Sequence, residues 1–223
     1  MRLSATRAFE LWAPTFEAGT NPLIALDDRV LRPLIGRVTS TSLVEIGCGT
    51  GRRLAALAEH AARVVGIDVC SGMLAIAGKK RVLSGRLVRA DAGSLPLPDE
   101  CFDVVLSSLS LGYFPDLKRA IHEMARITKP GGKIIVSDMH PAALESGWSR
   151  SFRHGSTVID IEHFAPSIEN IEKAALQCGL KVRYQSDHYF GEPEFGIFIR
   201  SGKEQQFRDA NQVPALWVGV WTR

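Results

Sequence analysis

Residues 43–68 read LVEIGCGTGRRLAALAEHAARVVGID, and this stretch decides the fold. A short apolar run, Leu43 to Ile46, meets three glycines at alternate positions, Gly47, Gly49 and Gly51. Glycine lets the backbone turn tightly and approach a ligand closely. Leu54, Leu57, Ala58 and Ala61 then recur at helical spacing, and RVVGID (63–68) is a second apolar run. The order is strand, glycine-rich turn, helix, strand.

Outward from there the alternation continues. RLVRAD (86–91) leads into the loop PLPDE, and FDVVLSS (102–108) is the next strand. Asp116, after Pro115, caps a helix with Leu117, Ala120, Ile121 and Met124 on one face. KPGG (129–132) reads as breaker and turn, and KIIVSD (133–138) as a strand. Near-continuous apolar strands separated by helices imply parallel βαβ units covered on both faces. Right-handed crossovers place the ligand crevice at the strands' carboxyl ends.

The flanks are read less regularly. Residues 148–164 suggest a hairpin turning near His154-Gly155, followed by a helix capped by Ser167 and closed by Gly179. Strands are expected near 180–190 and 215–222, with 192–214 largely irregular. Before residue 43, helical pieces around Phe9–Trp12 and Leu23–Val38 flank a Gly/Asn/Pro loop.

Composition narrows the class. The chain has 223 residues, 45% hydrophobic and 23% charged, with a mean hydropathy of +0.02. That is globular composition, not that of a disordered chain, a collagen or a coiled coil. A net charge of +3 is too weak for a nucleic-acid signature. Four scattered cysteines without metal spacing suggest a reduced compartment and no metal site. With no signal-like or membrane-length apolar stretch, a cytoplasmic protein without membrane association is expected.

Three acids carry the chemistry. Asp68 ends the second strand, where α/β nucleotide sites place a carboxylate against ribose hydroxyls. Its competing role is a helix cap. Asp91 ends the third strand and is placed to accept from an adenine amino group, or to be a solvated loop residue. Glu45, two residues before the first glycine, would repel a pyrophosphate and attract an ammonium or sulfonium. The spacing is G-x-G-x-G, without the dinucleotide G-x-G-x-x-G or a P-loop lysine. The expected ligand is adenosine-bearing, cationic and phosphate-free, which S-adenosylmethionine satisfies.

VEIGCGTGRRLAALA (44–58), GIDVCSGML (66–74), DAGSLPLPDECFDVVLSSLSLGYFPD (91–116) and RITKPGGKIIVSD (126–138) resemble, in order and spacing, the four motifs of class I S-adenosylmethionine-dependent methyltransferases. The resemblance is to the broad group that includes the ubiquinone/menaquinone C-methylases. It implies a Rossmann-like, doubly wound α/β fold whose mostly parallel seven-stranded sheet has an antiparallel last strand. It further implies that Glu45, Gly47, Cys48 and Gly49 surround the cofactor's methionine part and that Asp68 holds its ribose. Val69 and Met73 would pack on the adenine, Asp91 and the Ala92 backbone would read its edge, and Ser107 would lie near the methionine end. FELWAPTFE (9–17) is similar to the Tyr-Asp-x-x-Ala-x-x-Tyr-Asp lead-in of many relatives, with Phe9, Glu10, Phe16 and Glu17 substituting. Gly112-Tyr113 stands where many relatives carry His-His.

On the acceptor side, His140 and Tyr113 are the catalytic candidates, and Trp12, Trp148 and Arg150 the candidate pocket walls. The whole chain, 1–223, reads as one methyltransferase domain. Residues 1–42 supply helices over the site, 43–138 the cofactor-binding core, 139–166 a candidate lid or hairpin, and 167–223 a C-terminal helix and strands. A small-molecule methyl acceptor is expected, methylated at oxygen, nitrogen or carbon without a metal. A catalytically silent cofactor-binding module and an NAD(P)-dependent oxidoreductase are the competing readings. The sequence leaves the acceptor, the base and the oligomeric state open.

Overall fold

Short apolar strands and amphipathic helices alternate along the computed structural model, which describes all 223 residues. The chain opens with β1 (Arg2–Leu3), α1 (Ala5–Trp12) and α2 (Pro22–Ile35). Asn21 starts α2 by accepting a hydrogen bond from the Leu23 amide at 2.9 Å, with Pro22 at the first helical position. The core follows as β2 (Ser42–Ile46), α3 (Arg52–Ala58), β3 (Arg63–Asp68), α4 (Ser71–Ala77), β4 (Leu87–Arg89), β5 (Phe102–Ser108), α5 (Leu117–Ile127) and β6 (Thr128–Met139). The remainder is α6 (Pro141–Glu145), β7 (Ser151–His154), β8 (Thr157–Ile161), α7 (Ile168–Gln177), β9 (Lys181–His188), α8 (Glu192–Arg200), α9 (Glu204–Ala210) and β10 (Leu216–Thr222).

Seven strands form one sheet in the order β4-β3-β2-β5-β6-β10-β9. β10 runs antiparallel to both its neighbours, and the β2–β3, β2–β5, β3–β4 and β5–β6 pairs are parallel. This is the doubly wound sheet with an antiparallel last strand that the motifs imply.

Strand alternation sorts the core into two layers. Val44, Ile46, Val105 and Val136 pack under α5 and α7 with Trp217 and Trp221. Leu43, Val104, Leu106 and Ile135 pack under α2 and α3, against Leu26, Leu31 and Leu54. Each such side chain contributes about 1.5–3 kcal/mol on burial. The same alternation sends Glu45 and Ser108 toward α2, and Ser107 toward α5.

Three features depart from the reading of the sequence. Residues 192–214 hold two helices, because Phe195, Phe198 and Phe207 form an aromatic cluster between α8 and α9. KPGG does not separate α5 from β6 but lies inside β6, where the register against β5 shifts. The expected hairpin is present as β7–β8, yet it is joined by β1 in parallel to make a separate three-stranded sheet. No helix is long and apolar enough to cross a membrane.

Candidate functional site

At the carboxyl ends of β2 to β5 lies a cleft of about 240 Å³. A volume of 240 Å³ accommodates far more than a water molecule. Its lining includes Glu45 to Thr50, Ile67 to Cys70, Met73, Ala90 to Ala92, Ser108 to Ser110 and Tyr113 to Pro115, with Ala5, Thr6, Phe9, Phe16, Ile24 and Asp27 from the N-terminal segment.

The glycine turn is built for close approach. The Gly47 and Cys48 amides both donate to the Ile67 carbonyl, at 2.8 and 3.0 Å, which ties the turn to β3. Gly47 and Gly49 have φ of +74° and +54°. A Cβ on Gly47 would stand 2.7 Å from Ser110 Cβ, whereas one on Gly49 would meet nothing within 4 Å. The first glycine is therefore required by packing, and the second leaves open space beside the cleft.

Asp68 is fixed by that turn. Its Oδ2 accepts from the Gly49 amide and its Oδ1 from the Cys70 amide, both at 2.8 Å. Burial pushes its carboxyl above the usual range, against the pull of those amides. Each oxygen keeps a lone pair, so the local support leaves the carboxylate able to accept further hydrogen bonds. Asp91 accepts from the Gly93 amide at 2.8 Å, and Val69, Met73 and Ala92 border the cleft beside it.

Glu45 is buried, with Oε1 3.5 Å from Arg53 and Oε2 without any hydrogen-bond partner. Burial raises its carboxyl to about 7, opposed by the Arg53 charge and reinforced by Asp27. The Cys48 thiol is pushed well above its usual range by burial, which makes it packing rather than a nucleophile.

A polar network around Glu45 was not found in the sequence. Asp27, fully buried on α2, accepts from Ser108 Oγ at 2.7 Å, from Ser137 Oγ, and from Arg53. Asp28 pairs with Arg52 at 2.6 Å and with Arg53 at 2.9 Å. A signal was present: Asp27 sits four residues after Leu23 and four before Leu31, inside the apolar stripe of α2.

The N-terminal segment, rather than 139–166, covers the cleft. Glu10 accepts from Ser71 Oγ at 2.7 Å, and Lys80 joins Glu17 at 2.8 Å to the Thr50 carbonyl at 2.9 Å. Leu109, at the cleft wall, has φ of +52°. For a branched side chain this left-handed backbone is a strained conformation.

Several expected residues lie elsewhere. Ser107 points toward α5, fully buried, with its hydroxyl 2.7 Å from Ser110 Oγ. His140 caps α6, its Nδ1 accepting from the Ala142 amide at 3.0 Å, and its Nε2 lies 3.3 Å from Asp187. Trp148 stacks on Phe190 at 5.5 Å, and Trp12 stacks on Phe152 at 4.6 Å. Arg150 is buried against Asp138 at 2.5 Å. Of the acceptor-side candidates, Tyr113 borders the cleft. Trp12 and Trp148 are held by ring stacking, Arg150 by its buried ion pair and His140 by its cap and Asp187, and none of them lines the cleft.

The cleft thus offers a fixed carboxylate for a diol, an acidic edge with apolar neighbours for a base, and a buried, half-satisfied carboxylate for a cation. Comparison with known proteins agrees. Residues 44–136 match the family described as a methyltransferase domain. The chain is 32% identical over 139 residues to a demethylmenaquinone methyltransferase of Renibacterium salmoninarum, covering 60% of this chain and 58% of that protein. It is 33% identical over 141 residues to a malonyl-[acyl-carrier protein] O-methyltransferase of Serratia marcescens, covering 62% and 53%. The chain therefore spans little more than half the length of these relatives. In fold it is similar to an S-adenosylmethionine-dependent methyltransferase of Mesorhizobium loti, with a TM-score of 0.70, 20% identity, and coverage of 90% of this chain and 100% of that one. Motif order, cleft and sheet agree with a methyltransferase domain over residues 44–136, within a fold shared by solved S-adenosylmethionine-dependent methyltransferases.

Proposed function

We propose that this protein moves a methyl group from S-adenosylmethionine to an oxygen, nitrogen or carbon of a small, uncharged acceptor, by in-line displacement and without a metal. The observation that carries the reading is Glu45, which borders the cleft beside the glycine turn and whose buried Oε2 has no hydrogen-bond partner. A buried carboxylate with one oxygen unsatisfied is stabilised by a cation and destabilised by a phosphate.

The bound cofactor supplies a methyl carbon already activated by its sulfonium. The chain's own residues then hold and orient. Asp68 binds the ribose diol, Asp91 and Ala92 meet the adenine edge, and Val69 and Met73 pack on its faces. Phe9, Phe16 and Ile24 exclude water from the acceptor side, where positioning of the nucleophile in near-attack geometry supplies much of the rate.

Charge pairing supports an uncharged acceptor. Arg52 and Arg53, the guanidinium groups bordering the cleft, are both taken by carboxylates. An acceptor carboxylate would therefore find no free cation there. The relatives' names specify acceptors as unlike as demethylmenaquinone and malonyl-[acyl-carrier protein], and neither is carried over.

Thermal unfolding with S-adenosylmethionine, S-adenosylhomocysteine and NAD(H), in the parent and in Asp68→Ala, tests this. At a hundredfold excess over Kd a ligand adds ~2.7 kcal/mol, a rise in midpoint of roughly 5–10 °C for a chain this size. The adenosyl ligands alone should give it, and Asp68→Ala should lose most of it. A rise with NAD(H), or with nothing, overturns the reading.

A further inference from the structure

Arg150 is a buried cation with an unusual neighbour. Its side chain is 5% exposed and its Nη2 donates to Asp138 Oδ1 at 2.5 Å. Asp138 in turn accepts from the Gly112 amide at 2.6 Å through its other oxygen. The guanidinium carbon lies 4.8 Å from the centroid of the Tyr113 ring, within the range of a cation–π contact. Tyr113 meets Phe9 edge-on at 5.0 Å on the cleft wall.

The position before Tyr113 shows that this arrangement displaces something else. A Cβ on Gly112 would stand 2.8 Å from Arg150 Nη2 and 3.2 Å from Asp138 Oδ2. The guanidinium occupies the space that a side chain at 112 would fill. The Gly112 carbonyl also accepts from the Phe164 amide at 2.7 Å, and the Arg150 carbonyl from the Ile161 amide at 2.8 Å. The turn carrying Tyr113 is thus clamped to the ends of β7 and β8.

A buried ion pair is weak evidence for stability, since a well-packed apolar pair of the same volume does as well or better. What the apolar pair cannot do is place a positive charge on a tyrosine at the cleft. Burial pushes the Tyr113 phenol above its ordinary range; the Arg150 charge pulls against that, and the Asp138 charge adds to it.

Building on the methyltransferase reading, we propose that Arg150 is a positioning residue: held by Asp138, it fixes Tyr113 on the cleft wall and makes its hydroxyl a stronger hydrogen-bond donor. The matching acceptor presents an oxygen or nitrogen lone pair to Tyr113. This gives Arg150 a role through Tyr113 and none in direct contact with the acceptor.

The test needs no acceptor. The chain has three tyrosines, Tyr113, Tyr184 and Tyr189. Incorporating fluorotyrosine brings phenol titrations into a range the fold survives, and Tyr113→Phe identifies the Tyr113 signal by ¹⁹F NMR. In Arg150→Met combined with Asp138→Asn, which strands no buried charge, the Tyr113 midpoint should rise relative to the parent, because losing the Arg150 charge outweighs losing the weaker opposing effect of Asp138. Arg150→Lys should shift it less and in the same direction, and it serves alone if the double variant folds poorly.

A merely structural role predicts the opposite sign, because a loosened turn exposes Tyr113 and its midpoint falls. An unchanged or lowered midpoint overturns the proposal. S-adenosylhomocysteine binding, measured alongside, should stay within about twofold of the parent. If it binds neither parent nor variant, the methyltransferase reading fails, while the tyrosine midpoint still decides the role of Arg150.

Discussion

Burying a carboxylate among other carboxylates is costly, and Glu45 bears that cost beside Asp27 and Asp28. In the unfolded chain it titrates near an ordinary ~4.3; in the fold it titrates at about 7. The native state thus holds the proton more tightly, so the stability Glu45 contributes is full below pH ~4.3 and lost as pH rises to 7. The loss is on the order of 3 kcal/mol. Glu45→Gln should flatten this part of the pH–stability curve and leave the protein more stable than the parent at pH 8, as read by urea unfolding across pH 4.5–8. The same variant should bind S-adenosylmethionine at least tenfold more weakly by calorimetry. A stabilising substitution that weakens binding is the signature of a residue kept for its ligand. Glu45 and Asp68 were legible in the sequence because a motif and a strand end fix where they lie. Arg53 and Asp27 were not, since what matters about them is a contact across 26 residues.

At the scale of elements, α2 does more than cover the sheet. Its Asp27 gathers Ser108 from β5, Ser137 from β6 and Arg53 from α3 onto one carboxylate. Removing it leaves two hydroxyls without their acceptor and Arg53 with only Asp28 and Glu45, which costs about 1–3 kcal/mol. Asp27→Ala should show that loss in chemical denaturation, whereas removing both Asp27 and Arg53 should cost less than the sum of the single losses. Trp148, Arg150 and Phe152 lie in the segment 139–166, which the sequence offers as a lid or a hairpin. In the fold they pack on Phe190, Asp138 and Trp12 instead. Trp148→Ala should therefore lower stability by about 1–3 kcal/mol, since the ring is only partly buried, and leave S-adenosylhomocysteine affinity unchanged. Periodicity recovered the elements whose stripes face the large sheet. It missed α8 and α9, where Pro193, Gly196 and Gly202 interrupt the pattern and aromatic contacts between the two helices supply the reason to fold.

For the molecule as a whole, the cleft network counts three carboxylates, Asp27, Asp28 and Glu45, against two guanidinium groups, Arg52 and Arg53. With every group ionised it carries one unmatched negative charge, and the fold meets that by keeping Glu45 protonated up to about 7. A cationic ligand supplies the missing positive charge, so binding should drive Glu45 to its ionised form and release its proton. The cofactor's affinity should accordingly fall as pH drops below 7. Calorimetry of S-adenosylmethionine binding near pH 7, in two buffers of different ionisation enthalpy, should find ~0.5 proton released per site. The release should disappear in Glu45→Gln, where no proton is held. S-Adenosylhomocysteine keeps the ammonium and lacks the sulfonium charge, so its own proton count says which cation Glu45 faces. Equal release with both ligands places the carboxylate at the amino end, and release with S-adenosylmethionine alone places it at the sulfur. Absence of release with either would mean that Glu45 stays neutral beside a bound cation, and the electrostatic argument for the cofactor would fall with it.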